Sequence, residues 1–258
     1  VLGADELRRT GLHLASLQLD SGMIPWFPGG HCDPWNHVET AMALDVAGLH
    51  TEAERAYDWL VDTQRPDGSW HAYYHSDGSV EDDKLDTNVC AYIATGVCHH
   101  MRNTWDRGFA ENMWPTVERA LEFVLSLRRH DGLPLWAIEP EARPWDYALL
   151  TGTSSIQHAL RCGARLGESV GEPRPDWIGA ADVMADAVRY RPDAFEPKTR
   201  WAMDWYYPVL TGVLTGEAAK VRMADGWDLF AMEGLGSRCV SDEPWVTASE
   251  TAECALAY

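Results

Sequence analysis

The chain lacks several features that would assign it to a membrane, metal-finger or nucleic-acid-binding class. Its longest apolar runs fall far short of the roughly 20 residues that a transmembrane segment needs. No signal-peptide pattern opens the sequence, and none of its six cysteines forms a CxxC pair. Lys and Arg number only 21 against 40 Asp and Glu, which gives a formal net charge of -19. Because this charge repels nucleic acid and anionic membranes, we expect neither as a partner.

The cysteines indicate buried thiols rather than a disulfide framework. Cys90, Cys162 and Cys254 lie within apolar helical patterns, where a reduced cysteine behaves as a small hydrophobic residue. Disulfides would require an oxidising compartment, and nothing else in the sequence indicates one. The sequence therefore predicts a cytoplasmic protein with reduced cysteines.

Strand patterns are also scarce, and a helical repeat takes their place. The segments HVETAMAL, KLDTNVCA and ASETAECA share an acid followed by Thr, at Glu39, Asp86 and Glu250. Asp86 follows Glu39 by 47 residues. TSSIQHAL and YYPVLTGV keep the position in the repeat but lose the acid. A repeat of about this length is typical of stacked helix pairs.

Each of these apolar segments follows a more charged, amphipathic helical pattern, and the first three loops along the chain contain Trp and Gly. We interpret the unit as an outer helix, a loop and an inner helix. Five such pairs predict an all-α fold, an α/α toroid, because a ring of inner helices buries both sides of each one. We predict one domain over residues 1–258. A full ring usually has six pairs, so we expect the natural protein to continue beyond Tyr258, and the initial Val indicates a missing N-terminal piece.

In a toroid the inner helices start at one rim, so acids at their starts are expected to face a common cavity. Carboxylates that converge there raise one another's pKa, which suits acid–base catalysis. The alternative for each acid is a helix cap. The predicted catalytic candidates are Glu39, Asp83, Asp86, Asp146, Asp204 and Glu250. Thirteen Trp residues, many of them next to acids, indicate an aromatic wall around the cavity. The predicted substrate-binding residues are Trp35, His37, Trp145, Trp201, Trp205, Tyr207 and Trp245.

The segment WLVDTQRPDGSWHAYY, residues 59–74, resembles the Gln–Trp type repeat of the terpenoid cyclase and protein prenyltransferase superfamily. Gln64, Gly68 and Trp70 carry the match. The resemblance implies an α/α toroid in which these residues tie an outer helix to the next loop. It also implies an isoprenoid-type substrate and a bacterial prenyltransferase-type protein.

The acid-rich segment DDKLDTN is similar to two motifs of terpenoid enzymes. Residues 83–88 resemble the Asp-x-Asp-Asp-Thr-Ala motif, but Leu85 occupies the proton donor's position. Residues 82–86 resemble the Asp-Asp-x-x-Asp motif, which would imply Mg²⁺ if a diphosphate is bound. Zinc is not expected, because no matching His follows Cys239 and Asp242.

A second toroid family is the main alternative. RPWDYALLTGTSSIQHAL, residues 143–160, resembles the start of an inner helix in six-hairpin, glucoamylase-like glycosidases. These enzymes place two carboxylates and many aromatic side chains in the same bowl. Few Lys and Arg residues, Arg143 among them, lie near the loops to hold a diphosphate. A third possibility is a binding toroid without catalysis.

The sequence hypothesis is thus a terpenoid cyclase/prenyltransferase-like enzyme with an acidic, Trp-lined cavity. It would act on an isoprenoid-type substrate through carboxylate acid–base or metal-assisted chemistry. A glycosidase that cleaves a glycan substrate is the first alternative. The sequence leaves the oligomeric state open.

Overall fold

The computed structural model describes residues 3–139 and 144–258. Within these ranges ten α-helices alternate between an outer and an inner layer. The outer helices are α1 (Ala4–Leu17), α3 (His50–Thr63), α5 (Arg107–Ser126), α7 (Pro175–Tyr190) and α9 (Gly216–Phe230). The inner helices are α2 (Pro34–Val46), α4 (Thr87–Thr104), α6 (Leu150–Val170), α8 (Ala202–Leu210) and α10 (Ala248–Ala257).

Consecutive inner helices pack against one another, and α2, α4, α6 and α8 each pack against the outer helix that follows. This arrangement is an α/α toroid, and it confirms the predicted all-α class and the five helix pairs. The core is apolar and includes fully buried aromatic side chains such as Tyr57, Trp70 and Trp177. None of the helices that the structure describes is long and apolar enough to cross a membrane.

The strands are short and pair two by two in the loops at the rim. β1 (Tyr73–Tyr74) pairs with β2 (Val80–Asp82), β3 (Leu85–Asp86) with β4 (Ala137–Ile138), and β5 (Ala231–Met232) with β6 (Gly236–Ser237), all antiparallel. A 3₁₀ turn covers Pro192–Ala194. The pairing of β3 with β4 brings the loop around residue 136 next to the start of α4.

The loop that follows each of the first two outer helices is fixed by the same kind of contact, in which a Gln side chain donates to two backbone carbonyls. The Gln64 Nε2 group donates to the carbonyls of Gly68 and Thr116, at 3.0 and 2.9 Å. Gln18 makes the equivalent bonds to Gly22 and Glu52, at 3.0 and 2.9 Å. Gln64 therefore ties α3 to the neighbouring outer helix α5, in agreement with the structural role that the Gln–Trp repeat implied.

The starts of the inner helices differ in one respect from the prediction. Asp86 caps α4, and Glu250 lies in the first turn of α10. Glu39 lies in the second turn of α2, whose cap is Asp33 instead. Pro34 explains the difference, since proline favours the first helical position and the preceding Asp can accept a backbone N–H.

All six cysteines are free: Cys32, Cys90, Cys98, Cys162 and Cys254 are buried, and Cys239 is partly buried. This confirms the prediction that Cys90, Cys162 and Cys254 are core thiols. The cytoplasmic location stays a prediction.

Candidate active site

A cleft of about 350 Å³ opens at the rim where the inner helices begin. Helices α2, α4, α6 and α8 contribute to its wall, together with the loops before β4 and before α8. Its size lies within the range of small-molecule sites. The apolar part of the wall consists of Trp35, Pro134, Leu135, Trp136, Leu149, Ile156, Trp201 and Met203. The polar part includes Asp86, Thr87, Asn88, Thr151, Thr153, Lys198 and Asp204.

Asp86 is both the cap of α4 and a side chain of the cleft. Its Oδ1 accepts the N–H groups of Asn88 and Val89, at 2.9 and 3.2 Å. Its Oδ2 accepts the indole N–H of Trp136 at 2.5 Å. Burial raises the pKa of Asp86, while these donors and the positive charge of Lys84 act in the opposite direction. Its carboxylate is thus buried but hydrogen-bonded to fixed donors of the protein.

Asp204 lies in the first turn of α8 and faces the same cleft. The Thr151 hydroxyl donates to its Oδ1 at 2.7 Å. Burial raises the pKa of Asp204, and the bond from Thr151 opposes that shift only in part. Backbone hydrogen bonds from Thr151 and Lys198 and the charge of Arg222 also oppose it, so Asp204, like Asp86, has a raised pKa because burial outweighs its donors.

Aromatic rings continue the cleft wall outward. Trp136 stacks on Tyr147 with ring centroids 5.7 Å apart, and Trp145 packs against Trp136 at 4.9 Å. Two ammonium groups lie over these rings: Lys84 Nζ is 5.0 Å from the Trp136 centroid, and Lys198 Nζ is 5.4 Å from that of Tyr147. A wall of flat rings with donors beside it can hold the apolar face and the hydroxyl groups of a sugar.

A second group of carboxylates lies behind Trp35. Glu39 accepts the Trp35 indole N–H at 2.8 Å and the Tyr92 hydroxyl at 3.1 Å. Burial raises the pKa of Glu39, and the charges of Asp33 and Glu250 add to the shift. Glu253 of α10 accepts a hydrogen bond from Tyr206. Burial raises the pKa of Glu253 to about 7, with contributions from the charges of Glu39 and Glu250.

Of the thirteen predicted site residues, four line the cleft: Asp86, Asp204, Trp35 and Trp201. The structure places the other four acids elsewhere. Asp83 is exposed, and its carbonyl oxygen pairs with His71 at 2.9 Å. Asp146 is exposed at the surface. Glu39 lies behind Trp35, and Glu250 accepts the hydroxyl of its own helix cap, Thr247.

The other predicted substrate-binding residues also need correction. His37 is 1% exposed, and its ring nitrogens bind the backbones of Ile24 and Ala56. Burial lowers the pKa of His37 to about 4, so it is a neutral core residue. Tyr207 is buried in the core, and Trp205 is buried with its ring stacked on Phe230.

Two predicted tryptophans lie outside the cleft wall. Trp145 extends the aromatic wall beyond the cleft, and Trp245 is exposed away from it. An acid close to a Trp in sequence therefore does not by itself place either side chain in the cavity.

Sequence reasoning missed Trp136, Thr151 and Glu253. Trp136 comes from a loop about 50 residues after Asp86, and only the β3–β4 pairing brings the two together. Thr151 is the exception that a pattern could have shown, because it stands near the start of the inner helix in the repeat that lost its acid.

The DDKLD segment does not form a converging set of carboxylates. Lys84 pairs with Asp82 at 3.7 Å, Asp83 faces solvent, and only Asp86 enters the cleft. Leu85, at the position of the cyclase proton donor, is buried in β3. Within residues 3–139 and 144–258, no three His, Cys, Asp or Glu side chains are arranged as a metal-binding group. Arg143, a possible phosphate contact, lies outside the described residues.

A toroid whose rim cleft carries two buried carboxylates and aromatic walls is typical of glycoside hydrolases. Two solved structures share the fold. A wild-type glycosidase aligns with a TM-score of 0.72 at 13% identity, over 93% of this chain and 73% of its own. The endo-beta-1,4-glucanase of Acetobacter xylinum aligns with a TM-score of 0.66 at 11% identity, over 99% of this chain and 89% of its own. At these identities the likeness shows the fold alone.

No protein-family model matches the chain, but a curated relative does. The MMP endo-(1,4)-3-O-methyl-alpha-D-mannosidase of Mycolicibacterium hassiacum is 50% identical over 257 residues, which cover 100% of this chain and 71% of that protein. The chain belongs to the family of this mannosidase and is an enzyme of the glycosidase type. The terpenoid cyclase/prenyltransferase hypothesis was therefore wrong, and the glycosidase alternative is the one supported. The Gln–Trp repeat misled because it is a device for building the toroid, and unrelated chemistries share that fold.

Proposed function

We propose that this protein is an endo-acting glycoside hydrolase that cleaves (1,4) linkages in a chain of 3-O-methylated α-mannose units. The observation that carries the proposal is the 50% identity along the whole chain to a mannosidase of that name. The cleft supports it, because its wall combines two buried carboxylates with aromatic and aliphatic side chains.

The apolar share of the wall suits a methylated sugar. Leu149, Ile156 and Met203 lie in the same cleft as the rings of Trp136 and Trp201. A 3-O-methyl group replaces a hydroxyl donor by apolar surface, and burial of that surface is favourable. We therefore expect the enzyme to prefer methylated chains over plain mannose chains of the same linkage.

The two cleft carboxylates differ in the way that acid–base catalysis of glycoside cleavage requires. Asp204 would be the general acid, because burial favours its protonated form and, unlike Asp86, its side chain does not cap a helix. It would protonate the glycosidic oxygen as the C–O bond breaks. Asp86, held by two N–H groups and an indole, would be the ionised partner on the opposite side of the sugar.

The proposal is tested by incubating the purified protein separately with three substrates, of which the two oligosaccharides have the same length. These are a 3-O-methylated α-(1,4)-mannooligosaccharide, its unmethylated counterpart and a polyprenyl diphosphate. Mass spectrometry should detect internal fragments of the methylated chain. A methyl group in an apolar pocket is worth roughly 10-fold or more in kcat/KM, which sets the expected preference. Turnover of the unmethylated chain at an equal or higher rate would contradict the proposed substrate. Absence of turnover on both sugars would contradict the proposed function.

A further inference from the structure

A cluster of aromatic side chains, two of them exposed and two partly buried, lies on the loop before α2 and on strand β1. It consists of Trp26, Phe27, His31 and Tyr73, and we call it the aromatic platform. Trp26 is 49% exposed and Phe27 is 55% exposed. The ring of His31 lies between the others, with centroids 4.8 Å from Trp26 and 4.9 Å from Tyr73. Large apolar side chains that remain this exposed at one place often mark a binding surface.

Hydrogen bonds and close packing hold the exposed rings of the platform in place. The Trp26 N–H donates to the His31 carbonyl at 2.8 Å, and the Gly30 N–H donates to the Phe27 carbonyl at 2.8 Å. The Phe27 ring lies against Gly30, where a Cβ atom would come within 2.7 Å of it. The Trp26 indole donates to Asp33 Oδ2 at 2.7 Å. Rings fixed in this way lose little conformational entropy on binding.

Backbone bonds anchor the same loop to the β1–β2 hairpin. Cys32 and Tyr74 exchange N–H···O bonds of 2.9 and 2.8 Å. His31 and His75 both approach the Glu81 carboxylate, at 3.3 and 3.5 Å. The edge of the platform therefore offers imidazole and carboxylate groups as well as flat rings, a combination that suits sugar hydroxyls and sugar faces.

The platform adjoins the cleft at two points. Asp33, which holds Trp26, stands two residues before Trp35 of the cleft wall, and Cα atoms two residues apart are within roughly 7 Å. Ala72, the residue before Tyr73, donates its N–H to the Lys84 carbonyl at 2.8 Å, and the Lys84 ammonium lies 5.0 Å from the ring centroid of Trp136 in the cleft wall. A glycan that enters the cleft can continue across these rings.

We infer that the aromatic platform is a distal subsite that binds the part of a glycan chain extending beyond the cleft. The inference rests on the proposed function. A cleft of about 350 Å³ encloses only a short stretch of an oligosaccharide. An endo-acting enzyme must also hold sugars on either side of the bond it cleaves, and the platform provides a surface for them. The occupant is a neutral sugar chain, since Glu81 at its edge and the net charge of -19 disfavour an anionic one.

The test compares long and short substrates in matched variants. Phe27→Ala removes an exposed ring that makes no side-chain hydrogen bond, so the fold is expected to persist. Trp26→Ala removes a second ring and also the bond to Asp33. Tyr190→Ala is the control, because Tyr190 is 75% exposed at the end of the outer helix α7. Each variant is assayed for kcat/KM on methylated mannooligosaccharides of about four and about twelve units.

We expect Phe27→Ala to lower kcat/KM on the long chain at least fivefold more than on the short chain, mainly through KM. Tyr190→Ala should alter both substrates equally. Equal losses of Phe27→Ala on both lengths would overturn the subsite while leaving the proposed function intact. Failure of the parent protein to cleave either length would instead overturn the proposed function, and the subsite with it.

Discussion

The indole N–H of Trp136 donates to Asp86 Oδ2 at 2.5 Å, while Oδ1 of the same carboxylate caps helix α4. The same side chain thus caps the N-terminus of a helix and faces the cleft. The two alternatives that the sequence left open for Asp86, a helix cap or a catalytic acid, are not exclusive. A cap fixes the orientation of the carboxylate, and a fixed carboxylate is what acid–base chemistry needs.

Asp86→Asn separates these two roles. Asn caps helices about as well as Asp, but its NH2 group cannot accept the Trp136 indole N–H, so the free energy of unfolding should fall by about 1–3 kcal/mol. An amide cannot act as base or nucleophile, so kcat should fall at least about a hundredfold. Urea denaturation and the oligosaccharide assay measure the two effects. Asp83→Asn is the control, because Asp83 is exposed in the same loop. An Asp86→Asn variant that keeps its activity would show that Asp86 only caps the helix.

The helix repeat of this fold could be predicted from the sequence because each unit contains the same pattern of an amphipathic and an apolar helix. The amphipathic sequence PDWIGAADVMADAVRY, for example, coincides with α7, since an amphipathic period needs no knowledge of tertiary contacts. The candidate site was harder to predict from the sequence. Asp86 meets Trp136 through the β3–β4 pairing, and Thr151 meets Asp204 between α6 and α8. Contacts of this kind depend on the three-dimensional arrangement, which spacing along the chain does not encode.

Gly68 offers a test of the repeat itself. It has a φ of 91°, and a Cβ atom there would lie 2.2 Å from the Arg119 carbonyl oxygen on α5. Gly78→Ala is a matched control, because Gly78 has a φ of 84° but no atom within 4 Å of the added Cβ. The left-handed conformation costs an L-residue about 1–2 kcal/mol. Gly78→Ala should lose about that much stability and Gly68→Ala more than about 3 kcal/mol. Equal losses in thermal or urea unfolding would show that α5 moves aside.

Thr151→Val probes the assignment of Asp204 as the general acid. The change keeps the shape of the side chain but removes the hydroxyl that donates to Asp204 Oδ1. Loss of a donor to the ionised carboxylate raises its pKa further. The alkaline limb of the pH profile of kcat/KM should therefore move to higher pH. Thr153→Val is the control, since the Thr153 hydroxyl has no hydrogen-bond partner among the residues described. An alkaline limb that stays in place would remove Asp204 from the role.

Glu253 links the carboxylates behind Trp35 to the pH dependence of stability. Burial raises its pKa from the ordinary value near 4.5 to about 7. Between these two pH values the folded protein retains a proton that the unfolded chain has released. The folded state then binds more protons, so the contribution of Glu253 to stability falls as the pH rises from about 4.5 to about 7 and is constant above that range.

Glu253→Gln should therefore stabilise the protein at pH 8 and leave it nearly unchanged at pH 4.5. Glutamine cannot ionise, but its amide oxygen can still accept the Tyr206 hydroxyl. The expected gain at pH 8 is about 1–3 kcal/mol, because one pKa unit corresponds to about 1.4 kcal/mol and partial exposure reduces the effect. Urea unfolding at the two pH values measures it. Glu217→Gln, at a carboxylate 82% exposed on α9, should show no such difference. If the stability of Glu253→Gln relative to the parent is the same at both pH values, Glu253 is ionised in the folded protein well below pH 7. In that case burial and the charges of Glu39 and Glu250 do not raise its pKa.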